Sequence, residues 1–67
     1  MHLTERELWS AAAMVQRQHG DQAPRFVAER IGALAVAGDA AGIEAWRAIA
    51  ARLDQLTRAS DGRGVAH

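Results

Sequence analysis

The placing of glycine and proline constrains this chain more than any other feature. Residues 5–19 contain neither, and Gly20 ends them; Pro24 opens a second stretch that runs to Gly38, and Asp39 opens a third. Each stretch is long enough for a helix of several turns. The first two are no longer than the roughly 15 residues below which a helix is marginal alone in water, because the first turn costs more conformational freedom than one hydrogen bond returns. A chain cut in this way folds only if its segments bury apolar faces against one another or against a partner.

The first segment announces its own start. Thr4 and Glu7 have capping-box spacing, in which the threonine oxygen takes one free N–H and the glutamate reaches back to another. Leu3 and Leu8 flank the cap at the positions of a hydrophobic staple. At about 100° per residue Leu8, Ala12, Val15 and His19 share a face with Ala11 beside them, while Trp9 and Met14 lie on opposite flanks. Gly20 suits the left-handed position that closes a helix. In the second segment Pro24 belongs to a first turn, where a missing N–H is harmless, and Asp21 is placed to cap it. Val27, Ile31 and Leu34 form its apolar face, extended by Ala23 and Ala35. Phe26 lies to one side and Val36 nearly opposite. Gly32 inside this helix costs about 1 kcal/mol against alanine, which close approach of another backbone would explain.

Residues 37–46, AGDAAGIEAW, carry two glycines around an aspartate. A helix N-terminus attracts anions, but Asp39 and Glu44 would repel a phosphate, and the GK[ST] ending of a nucleotide loop is missing. The stretch reads as a helix-to-helix corner: Gly38 ends one helix, Asp39 caps the next, and Ile43 opens a new apolar period. In that helix Ile43, Trp46, Ile49, Ala50, Leu53 and Leu56 share a face, with Glu44, Ala48, Arg52 and Gln55 on the other side. Short connections favour antiparallel neighbours. The expected fold is all-α, an up-down-up three-helix bundle with helices over about 5–19, 23–37 and 40–58. Residues 1–59 form the single domain and 60–67 a flexible tail. Each helix supplies one aromatic residue, and Trp46 is expected to meet Trp9 or Phe26 in a shared core.

Composition narrows function. A chain of 67 residues buries only about 60% of the surface its unfolded form exposes and is marginal alone. It has no cysteine, so disulfides and thiolate zinc sites are excluded and association is the remaining stabiliser. Eight arginines balance eight acids, which gives no general attraction to nucleic acid or anionic lipid. The N-terminal residues lack a signal-peptide core. The longest uncharged apolar run, Ile31 to Gly38, falls far short of the roughly 20 residues that span a bilayer. A cytoplasmic protein with no membrane partner is expected.

Chemistry-bearing residues are sparse. His19 and Asp21 flank Gly20, but His2 and His67 lie near the ends, and no His-x-x-x-His or Glu-x-x-His spacing occurs. A helix-ending histidine bonded to backbone is the simpler reading. No catalytic, cofactor-binding or metal-ligating residue is assigned, and an enzyme is not expected. A helix-turn-helix DNA-binding regulator is the alternative, since a short glycine turn joins the second and third helices. The residues that would face bases, Ala40, Ala41, Gly42 and Glu44, cannot donate the paired bonds that read guanine or adenine. Arg47, Arg52 and Arg58 are expected to pair with Glu44 and Asp54 at helical spacing. Arg30 flanks the apolar stripe near Phe26, and there its stem covers core while its head stays wet. Met14, Phe26 and Val36 fall outside the most economical core. With Arg30 they form the candidate interface of a protein–protein interaction module, either a homodimer or a small regulatory or inhibitory subunit of a larger protein.

ELW at 7–9, QHGDQAP at 18–24, AGD at 37–39, the W-x-x-I-x-x-R-x-x-x-L sequence from Trp46 to Leu56, and a short tail ending in histidine together resemble a family of small uncharacterised alphaproteobacterial proteins classed as a domain of unknown function. The resemblance implies a compact helical protein. It supplies no activity, cofactor or catalytic residue. It also implies that the HGD junction and the terminal histidine are family features.

Overall fold

The computed structural model describes residues 3–65, with side chains described for 3–59. Among these residues the chain is all-helical: α1 (Glu5–His19), a 3-10 turn (Gly20–Gln22), α2 (Ala23–Ala37) and α3 (Ala40–Val65). The Thr4 hydroxyl accepts the Glu7 N–H at 3.2 Å, and the Glu7 carboxylate accepts the Thr4 N–H at 2.9 Å. Both staple leucines join the core. Gly20, at φ 52° and ψ −125°, turns the chain out of α1 while its N–H still donates to the Gln16 carbonyl. Asp21, expected to cap α2, lies inside the 3-10 turn. The cap position falls to Gln22, whose side chain makes no capping bond.

The corner at 37–43 is the expected one. Gly38 is left-handed, at φ 73° and ψ 25°. Its N–H donates to Ala35 at 3.1 Å, and the Asp39 N–H donates to Leu34 at 3.0 Å, which satisfies carbonyls that the end of α2 would leave unpaired. Asp39 Oδ1 then accepts the Gly42 N–H at 2.9 Å. A Cβ on Gly42 would come within 2.7 Å of that aspartate's other oxygen and 3.0 Å of Leu34. Only glycine leaves room there for the cap to fold over. Gly32 corrects an expectation, because a Cβ there meets nothing within 4 Å and no backbone among the described residues approaches it.

α3 is also corrected: it does not stop at Thr57 to Ala59 but continues to Val65. Nothing after Asp39 forces an end. The segment has no proline, and a glycine taxes a helix by about 1 kcal/mol without breaking it. The Thr57 hydroxyl donates to the Leu53 carbonyl at 3.0 Å and Arg58 pairs with Asp54 at 3.0 Å, in the turn that leads into the extension. Positions 66 and 67 of the expected tail, like Met1 and His2, lie outside the described residues.

The core draws Leu8, Ala12 and Val15 from α1, Ala23 and Val27 from α2, and Ile49 and Leu53 from α3. α1 and α2 each pack extensively on α3 and touch each other far less, so α3 is the common support. Leu34 approaches Gly42, Arg30 lies over Trp46, and Pro24 shares a groove with Thr57, so α2 and α3 run antiparallel. The body measures 46 × 23 × 16 Å. At about 1.5 Å per residue the 26-residue α3 overruns the two 15-residue helices.

Candidate interaction surface

Phe26 and Arg30 are brought together, and Trp46 is what joins them. Phe26 meets the Trp46 ring edge-on, with centroids 5.9 Å apart and planes at 72°, as expected for a shared aromatic core. The Arg30 guanidinium lies 5.8 Å from the Trp46 centroid, where a cation is drawn to the ring face. His19, expected to bond backbone, instead lies flat on Phe26 at 3.9 Å and 15°. A row His19, Phe26, Trp46, Arg30 thus links all three helices beside the corner at Gly20. These rings are half-buried, so Phe26 spends much of its apolar surface inside the fold.

A second cluster was invisible in the sequence. Arg52 reaches across to Glu5, with Nε donating to Oε2 at 3.1 Å and the second guanidinium nitrogen to Oε1. The same guanidinium lies 5.8 Å from the Trp9 ring centroid. Hydrogen bonding from Arg52 holds the Glu5 carboxyl below its usual range, its positive charge adds to that, and the partnership raises Arg52 in turn. Arg52, assigned to a local pairing within α3, therefore pins the start of α1 to α3. Its partner is 47 positions away, beyond any helical spacing rule. Arg58 does pair with Asp54 as expected.

The flank of the α2–α3 pair away from Phe26 and Arg30 is open. An apolar groove of about 280 Å³ runs between the helices, lined by Pro24, Val27, Ala28, Ile31, Ala50 and Leu53, with Asp54 and Thr57 at one end. Small alanines on both walls create it, a pattern that is silent until the helices are paired.

Met14 is 48% exposed and Val36 92%, and neither joins the aromatic row. Val36 is nine residues from buried Val27, about 180° round the helix. The four candidate interface residues therefore do not form one patch: two sit over Trp46 and two stand on separate faces. Trp9, at 37%, is a further exposed apolar side chain. Among the described residues no group of three or more His, Asp or Glu is placed to hold a metal, and no helix is long and apolar enough to cross a membrane. The first turn of α3 is closed by the Asp39 carboxylate, with Gly42 buried beneath it.

Comparison with curated proteins and with solved structures gives no match. A family of unknown function, DUF6961, matches residues 4–61. That range takes in all of α1 and α2 and most of α3, including the aromatic row, the Glu5–Arg52 bracket and the open groove, and the chain belongs to this family.

Proposed function

We propose that this chain, which resembles small alphaproteobacterial helical proteins of unknown function, is a protein–protein interaction module: an up-down-up three-helix unit whose role is to associate with itself or with a larger protein. The observation that carries the reading is Val36, a large apolar side chain that is 92% exposed on a helix half, Ile31 to Ala37, with no charged residue at all. A helix that is apolar all round belongs in an interior. Among the described residues the core holds seven side chains, two of them alanine, and small domains with so little interior commonly draw stability from a partner. Residues suited to catalysis are few and dispersed, and a contact surface uses what the chain does present. Sedimentation equilibrium on the purified protein, with identification of whatever co-purifies in fixed stoichiometry, tests this. A dimer or a defined complex is expected; a folded monomer with no stoichiometric companion contradicts it.

A further inference from the structure

We infer that the outer face of α2 is covered by α2 of a second copy, packed antiparallel with the two Gly32 residues at the crossing. The inference rests on the interaction reading and names its partner. Ala28, Gly32 and Val36 follow one another at one-turn spacing on the exposed side of α2. A Cβ at Gly32 would meet nothing within 4 Å, so the position leaves an external backbone room to approach, at a cost in helix propensity that no contact inside this chain explains.

The face matches itself. A two-fold axis at Gly32 sets Val36 of each copy beside Ala28 of the other, large against small. It also brings Arg25, whose exposed side chain pairs with Glu29 of its own helix at 3.6 Å, to the other copy's Asp39, whose Oδ2 is left over from capping Gly42. Each Arg25 thus stands between its own Glu29 and the other copy's Asp39, at either end of the uncharged Ala28, Gly32 and Val36 stripe, the reciprocal arrangement of an isologous contact. The chain as a whole is neutral, so two copies carry no net repulsion. A standard interface takes about 800 Å² from each partner, roughly a sixth of the 4967 Å² here. Ala28 also lines the neighbouring groove, so the strip extends onto further apolar surface.

The absence of cysteine permits a direct test. Gly32→Cys is expected to cross-link between copies under mild oxidation, while Ala33→Cys, about 100° round the helix, is not. In sedimentation, Val36→Glu and Gly32→Leu are each expected to weaken self-association about tenfold or more. Leucine at 32 enters open space and favours helix, so circular dichroism should show that variant folded. Asp39→Asn keeps the cap and should weaken association by a smaller factor. A dimer that ignores these substitutions overturns the assigned face and leaves the interaction reading intact. A chain monomeric to about 500 µM that holds a different protein in fixed stoichiometry overturns the second-copy assignment alone. A monomer with no companion overturns both, since mass action would reveal any useful affinity there.

Discussion

Gly32 and Gly42 sit in helices where sequence alone gives them equal weight, and their surroundings separate them. At 32 a methyl group meets nothing, so Gly32→Ala should gain up to about 1 kcal/mol of folding stability, measured by urea unfolding at a concentration low enough to keep copies apart. At 42 the same methyl displaces the Asp39 cap and presses on Leu34. A lost cap costs about 1 kcal/mol, which cancels the gain in propensity, so Gly42→Ala should be neutral or destabilising. Equal stabilisation by both substitutions would show that the corner does not need its glycine. The left-handed Gly38 and the Asp39 cap were legible because their signals lie within a few residues. The function of Gly42 was not, because it depends on where a carboxylate folds back and on Leu34 from the preceding helix.

At the scale of elements, α1 falls where its capping box and Gly20 place it and α2 where Pro24 and Gly38 place it, since those signals are local, although Asp21 does not cap α2. The end of α3 did not, because composition resembling a tail lacks any residue that compels a helix to stop. Pairing between helices was legible as apolar faces but not as polar contacts: Arg52 was assigned to its own helix and in fact holds Glu5. That contact has a pH signature. The Glu5 carboxyl is held below its ordinary value near 4.5, first by its hydrogen bonds from Arg52. A carboxylate with a depressed folded-state value binds fewer protons folded than unfolded. Its contribution is therefore complete above the ordinary value and disappears as pH falls through the folded one. The pair is exposed at Glu5, so the effect is modest. Urea midpoints for wild type and Glu5→Gln should differ at pH 7 and converge as acid protonates Glu5 in the folded chain. A gap unchanged by acid would mean that glutamine loses packing and not charge.

For the whole molecule, the sequence was informative about class and about what is missing, namely cysteine, net charge and long apolar runs. Surface was harder to read, because the α2–α3 groove exists only once two alanine-bearing walls are set side by side, and the four candidate interface residues divided between a half-buried aromatic row and two separate exposures. What unites these features is a core too small for the apolar surface around it. On the proposed reading a second copy covers that surface and couples folding to association, so the thermal midpoint becomes a function of protein concentration. Calorimetry or circular dichroism from about 5 to about 500 µM measures this directly. The account predicts a midpoint that climbs by several degrees across the range for the wild type and stays level for Val36→Glu. A wild-type midpoint that does not move with concentration would contradict it.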